Sequence, residues 1–322
     1  MEALQNLSLG LIQALQSLSP TLDSSMKLFT CLGRVEFYLL IIPLIYWTID
    51  YTLGIRALLL LISIDMVGSA LKLLFHQPRP YWIGPVKALS QETSYGIPST
   101  HASDSLPFWG YVAYRLRRTW LWIIAVVMVV FIGLSRIYLG VHFLHDVVFG
   151  WMIGGALLWV FVRSEHAIAT WMNKQGLLGQ IGIGFALSLV MILVGQLIKV
   201  TLSGMPDPEA WRAYSAQART PTYVFTLAGT LFGAISGYAL MKRYAYFDVA
   251  GQRAQRMGRY LLGIIGVGVI YFGLDVVFKL MAADETALGY VLRYVRSCSV
   301  ALWVTFAAPW AFLRVKLAEL AG

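Results

Sequence analysis

The chain has 322 residues, 58% of them hydrophobic and only 13% charged, with a formal net charge of +9. A soluble domain carries about 25% charged residues, and a mean hydropathy of +0.69 excludes one here. A nucleic-acid partner is excluded too, because the basic residues sit in short loops between apolar stretches and form no concentrated patch with readable aromatics.

At the start of the chain, Leu4, Leu7, Leu11, Leu15 and Leu18 recur at helical spacing. Residues 1–28 are therefore expected to form an amphipathic segment lying in the membrane interface. The first 25 residues show no basic run followed by an apolar one, so no cleavable signal is expected. A bilayer core needs about 20 apolar residues per helix. Nine segments meet this description: 29–48, 53–75, 101–115, 119–138, 142–162, 180–201, 221–241, 260–281 and 297–315. Period-two alternation is lacking, so the fold class expected is all-α, a polytopic membrane helical bundle. Residues 29–165 are expected to form a core of five helices, and residues 166–322 four additional ones that shape the substrate entrance or a dimer face.

The loops opposite the motifs described next hold Arg115, Arg117, Arg118, Arg163, Lys174, Lys242 and Arg243, and the motif side holds fewer cations. Basic loops stay in the cytoplasm, so the motif side is expected outside it. Short loops without appended domains favour a bacterial inner membrane, with the site on the periplasmic side.

Charges gathered beside a membrane need a reason. Lys72, Arg79 and Pro80 read Lys-x6-Arg-Pro; Pro98, Ser99, Thr100 and His101 follow in a loop; Ser135, Arg136, His142 and Asp146 read Ser-Arg-x5-His-x3-Asp. Cleavage of a phosphate monoester requires neutralised equatorial oxygens, an in-line nucleophile and a proton for the leaving oxygen. Lys72, Arg79 and Arg136 supply three cations, and arginine suits bidentate contact with phosphate. Ser99 supplies a hydroxyl. If a helix begins near it, the N–H groups of Thr100 and His101 face the anion as well. His142 and Asp146 are four residues apart, which puts them on one helix face. The carboxylate would fix the imidazole tautomer, making His142 the nucleophile, with His101 the general acid.

In order, spacing and residue type these segments resemble the three motifs of the phosphatidic acid phosphatase type 2 superfamily. The resemblance is firm from Lys72 to Asp146 and weaker in the flanking helices. It implies a metal-independent membrane phosphatase or phosphotransferase, with the nucleophile at His142, its supporting acid at Asp146 and the proton donor at His101. Phosphate would be bound by Lys72, Arg79, Ser99 and Arg136, with no cofactor and no metal, and the Thr100 N–H is expected to add to them through the helix start. One departure is Thr100, where the family usually has glycine; a first-turn helical conformation would accept threonine. The stretches Tyr95–Ala102 and Leu134–Gly140 look like sphingosine-1-phosphate phosphatases. Gln77-Pro78-Arg79-Pro80-Tyr81-Trp82 resembles glucose-6-phosphatase. A lipid phosphate is the expected substrate, and membrane lipids the expected surroundings. A phosphotransferase to a lipid or sugar acceptor and a sugar-phosphate phosphatase are the alternatives, and a homo-oligomer is compatible with all of these.

Tyr81 and Trp82 are belt residues that also suit a substrate entrance. Asp65 lies seven residues before Lys72 on the same helix face, where it either orients Lys72 through Ser69 or water or hydrogen-bonds a neighbouring helix. His145 beside Asp146 suggests a metal ligand, but three nearby cations and the lack of further carboxylate or cysteine ligands oppose that reading. Asp275 and Lys279 are expected to pair with each other.

Overall fold

The structure, a computed structural model, describes residues 2–215 and 217–321. The first half comprises α1 (Glu2–Gln16), α2 (Asp23–Cys31), α3 (Val35–Thr48), α4 (Tyr51–Phe75), α5 (Pro80–Ile83), α6 (Thr100–Leu116) and α7 (Thr119–Tyr138). The second half comprises α8 (Leu144–Asn173), α9 (Leu177–Ser203), α10 (Arg212–Ser215), α11 (Thr222–Tyr244), α12 (Arg253–Met281), α13 (Ala287–Leu302) and α14 (Ala308–Arg314). Among the described residues the only β pairing is one isolated bridge, Phe247 to Leu320. The fold class is all-α, as the apolar pattern implies.

Among the described residues, seven helical stretches are long and apolar enough to cross a membrane, against nine expected, and α2 with α3, bent by 52°, makes an eighth if the pair is one span. The expected segment 101–115 corresponds to α6, which at 17 residues is shorter than the others. Helix ends differ from the hydropathy pattern where polar residues form the first turns. Thus α12 starts at Arg253, because Gln252 and Gln255 close a capping box ahead of the apolar run. Likewise α13 starts at Ala287, where the Thr286 side chain accepts from Gly289 N at 3.0 Å. The fifth expected span begins at Leu144, so His142 precedes the helix and lies in the turn after α7.

The chain divides into two compact units, and both are discontinuous. One holds residues 1–38, 63–162 and 196–220; the other holds 39–62, 163–195 and 221–322. In the first unit, α8 runs close against α6. A side chain at Gly150 would meet the Ser99 carbonyl at 2.6 Å, so glycine there lets α8 reach the start of α6. α1 is pinned rather than free: Ile12 is buried with Ala102, Ile137 and Val147. The Gln16 amide donates to the carbonyls of Lys87 at 2.8 Å and Tyr138 at 3.0 Å. Leu4, Leu7 and Leu11 stay exposed on its other face.

The second unit is built around Trp47, whose indole N–H donates to Val304 O at 2.9 Å and whose ring fills the space beside Gly263. Between α13 and α14, residues 303–307 form a π-turn, where the Thr305 hydroxyl donates back to Ala301 O at 2.7 Å. Asp275 pairs with Lys279 at 2.7 Å, as the spacing predicts, and also with Arg296. The outer face of α12 leaves Ile265, Val269, Phe272 and Leu280 uncovered, as a lipid-facing helix does.

Candidate active site

The sequence-predicted site residues all fall in the first unit, at one end of α4, α6, α7 and α8. Lys72 lies in the last turn of α4 and Arg136 in the last turn of α7. Arg79 immediately precedes α5, where Pro80 occupies the first turn that suits a residue without an N–H. Ser99 caps α6 with extended backbone. Gly140, with φ +73°, provides the left-handed residue that turns the chain from α7 back toward His142.

His142 is the centre of this arrangement. Its Nδ1 lies 3.3 Å from Asp146 Oδ2 and its Nε2 lies 3.1 Å from Arg79 Nη1. The same Asp146 oxygen accepts the Phe143 N–H at 3.0 Å, a capping-box contact that fixes the carboxylate in the first turn of α8. With Nδ1–H directed at the carboxylate, the Nε2 lone pair faces the cations. The shared helix face inferred from spacing is therefore replaced by a turn, but the pairing it served is present.

The imidazole is 1% exposed. Burial, reinforced by the charges of Arg79, Lys72 and Arg136, holds its pKa well below the ordinary imidazole range. An unfolded histidine takes its proton near pH 6.5, whereas the folded one takes it only at lower pH, and in that window the unfolded chain binds more protons. Stability is accordingly expected to fall as pH drops below about 6.5, by up to about 1.4 kcal/mol per pH unit from this residue. The check is thermal unfolding of wild type and His142→Gln in detergent at neutral and mildly acidic pH. The wild type should lose the larger share on acidification; a constant gap between the two proteins would contradict it.

Lys72 and Arg79 are held mainly by backbone carbonyls. Lys72 Nζ donates to Tyr95 O at 2.8 Å and to Gly96 O at 3.3 Å. Arg79 donates to Ser94 O at 2.6 Å, Tyr95 O at 3.1 Å and Val141 O at 2.8 Å, and to the Ser94 hydroxyl at 3.0 Å. Arg136 is fully buried and donates to the Thr30 hydroxyl and to Glu92. Carbonyls neutralise no charge, so Lys72 and Arg79 keep theirs, whereas Arg136 is paired with the Glu92 carboxylate. Among the described residues, the buried polar atoms that make no hydrogen bond include Ser99 Oγ, His101 Nε2 and Arg136 Nε. These are donors an anion would engage. Thr100 is the first residue of α6 and has no left-handed backbone, so threonine sits there without strain.

Asp65 hydrogen-bonds Asp104 on α6, which is the second of its two expected roles. Trp82 is buried and stacks on Tyr214 at 5.8 Å, so it walls the loop instead of lining an open mouth. The half-buried Tyr81 hydroxyl bonds to the Glu92 backbone at 3.1 Å. His145 stacks on Phe143 and lies 3.4 Å from Asp146 Oδ1. Among the described residues no group of three His, Cys, Asp or Glu is placed to hold a metal ion.

Sequence reasoning missed Glu92, Thr30, Ser94, Asp104, Asp207 and Arg219. Glu92 had a signal, being the only acid between Gln77 and Pro98. Burial opposes its ionisation, but the charges of Arg136 and Arg79 outweigh burial and hold its carboxyl well below the usual carboxylate range.

Two family models match the chain. One, described as PAP2 superfamily, covers residues 53–169; the other, described as PAP2 superfamily phosphatase, transmembrane extension, covers residues 225–320. Among curated proteins, the chain is 26% identical to lipid phosphate phosphatase delta of Arabidopsis thaliana, over 45% of this chain and 39% of that protein. It is 30% identical to sphingosine-1-phosphate phosphatase 2 of Mus musculus, over 39% of this chain and 38% of that protein. The chain thus spans about two fifths of these relatives' length. A crystal structure of a transmembrane PAP2-type phosphatidylglycerolphosphate phosphatase from Bacillus subtilis is similar at 27% identity and a TM-score of 0.46, over 52% of this chain and 89% of that one.

Proposed function

The chain belongs to the PAP2 superfamily, and from that premise we propose that it is an integral membrane phosphohydrolase that removes a terminal phosphate from a lipid, without a metal, through a phosphohistidine at His142. The observation that carries this reading is His142 Nε2 set among buried cations while Nδ1 is held by Asp146. In the first step Nε2 attacks phosphorus, the bond to the lipid oxygen breaks, and His101 gives that oxygen its proton. In the second step His101 takes a proton from water, whose oxygen displaces the histidine nitrogen and releases inorganic phosphate. Lys72, Arg79, Arg136, Ser99 and the first N–H groups of α6 stabilise the equatorial oxygens in both steps.

A lipid substrate is supported by the apolar faces of the surrounding helices and by the names of the relatives. Placement of the site outside the cytoplasm is supported by Arg115 in the last turn of α6 and by Arg117 and Arg118, which join α6 to α7, all at the helix ends away from Ser99 and Arg136.

The test is phosphate release by protein purified in detergent, with a chelator present. The panel holds a sphingoid-base phosphate, phosphatidic acid, phosphatidylglycerol phosphate, a polyprenyl pyrophosphate and glucose 6-phosphate. Release from lipids but not the sugar phosphate is expected. Release from the sugar phosphate alone, or turnover only with an added acceptor alcohol, would replace the reading with a sugar phosphatase or a phosphotransferase.

Glu92 makes a further prediction. Its carboxylate occupies an Arg136 donor that phosphate would use, so an incoming anion has to displace it. Glu92→Gln is expected to tighten inhibition by vanadate about 3- to 10-fold, the equivalent of up to about 1.4 kcal/mol. Weaker inhibition would instead mean that Glu92 serves to orient Arg136.

A further inference from the structure

Residues 204–220, which join α9 to α11, lie in the stretch that neither family model covers, yet they reach the motif loop through one buried side chain. Tyr95 is fully buried, and its hydroxyl donates to Asp207 at 3.0 Å and 2.9 Å, one contact to each carboxylate oxygen. Arg219 Nε donates to the same Tyr95 oxygen at 3.0 Å and to Asp207 Oδ2 at 2.7 Å. The Arg219 guanidinium is itself fixed, because its other nitrogens donate to Leu202 O at 2.9 Å and Met205 O at 2.6 Å, where α9 ends. The Tyr95 ring is held edge-on by Trp211 and flanked by Trp82, with centroids at 6.3 Å and 6.2 Å. Burial and the bond to Asp207 push the phenol up to about 12, so it stays a donor at any working pH.

The other end of this residue does different work. The Tyr95 carbonyl accepts from both Lys72 Nζ and Arg79 Nη2. One peptide oxygen therefore sets two of the three cations assigned to phosphate, and the side chain of the same residue is locked by a carboxylate and a guanidinium from residues 204–220. We propose that Asp207 and Arg219 are positioning residues, which act through Tyr95 to hold Lys72 and Arg79 at the separation that phosphate requires. This rests on the reading of those two cations as phosphate binders. An error of about 1 Å in such groups is enough to cost large factors in binding and rate.

A mere staple on the loop would make the same contacts, so the test must separate the two. Tyr95→Phe removes the phenol oxygen but leaves the Asp207–Arg219 ion pair, and with it the tie to the end of α9. Asp207→Asn, Tyr95→Phe and the double variant would be purified in detergent. Direct binding of vanadate would be measured by calorimetry, alongside KM and kcat for the best lipid phosphate and the thermal midpoint. Each single variant is expected to weaken vanadate binding and raise KM by about 10-fold or more. The double variant should add little, because the two residues act in series.

A loss confined to kcat and thermal midpoint, with KM and vanadate binding unchanged, would mean fewer folded molecules and would overturn the proposal. So would a Tyr95→Phe protein that binds vanadate as wild type does. If the wild type binds vanadate but turns over no phosphate ester, the hydrolase reading fails, while the shift between wild type and variants still decides this one. A wild type that binds no vanadate would remove the phosphate site itself and overturn both.

Discussion

Alanine at position 142 is expected to lower phosphate release from a lipid substrate by about four orders of magnitude or more, with vanadate binding reduced far less. Removing the nucleophile of a covalent mechanism leaves only what binding and charge stabilisation contribute. Apart from one Arg79 contact with His142, the anion-holding groups are anchored elsewhere: Lys72 and Arg79 to the carbonyls of residues 94–96 and 141, and Arg136 to Thr30 and Glu92. The variant should therefore keep a cationic pocket and lose chemistry. Rapid quenching of wild type with labelled substrate should trap protein-bound phosphate that is stable to alkali and labile to acid, as a phosphorus–nitrogen bond is, and the variant should trap none. Turnover by His142→Ala within a few-fold of wild type would remove covalent catalysis by this residue. Asp146→Asn should retain the imidazole but lose its orientation, with a large and lesser loss.

Substitution of His101 by glutamine is expected to cost about 10²- to 10⁴-fold with an alkyl or lipid phosphate, the range typical of a lost general acid. The same substitution should cost little in the first step with an aryl phosphate such as p-nitrophenyl phosphate, whose leaving oxygen needs no proton. This contrast separates proton donation from binding. His101 lies in the first turn of α6, two residues from the Ser99 cap, and its Nε2 makes no hydrogen bond within the protein. That nitrogen is thus free to meet a leaving oxygen. Equal losses on both substrates would assign His101 to phosphate binding, and the donor would have to be sought elsewhere.

The parts of this site that could be read from sequence are those in which residue type and spacing leave few options. Lys72, Arg79, Ser99, Arg136, His142 and Asp146 are polar interruptions at apolar helix ends, and the structure brings them together. The His142–Asp146 pairing was legible, but its backbone was not, because an i,i+4 spacing suits a helix and a tight turn equally. Asp207 and Arg219 were hidden for another reason. They sit in loops whose composition fits ordinary surface polarity, and only the three-dimensional path of the chain shows that each faces a buried partner. The helix starts at Arg253 and Ala287 were missed because hydropathy responds to lipid depth, whereas a capped polar turn extends the helix beyond it.

The tie between Tyr95 and residues 207–219 also bears on how the protein is made. A chain emerging from its amino terminus has all three motifs in hand once Asp146 has been synthesised, yet the carbonyl that sets Lys72 and Arg79 is not locked until Arg219 follows, more than seventy residues later. During that interval α8 and α9 are being inserted, while the motif loop waits with a buried phenol that lacks its acceptor. Completion of the pocket is thus linked to successful insertion of a later helix. A nascent chain that stalls or misinserts at α9 would carry the full set of catalytic side chains and still present no finished phosphate pocket.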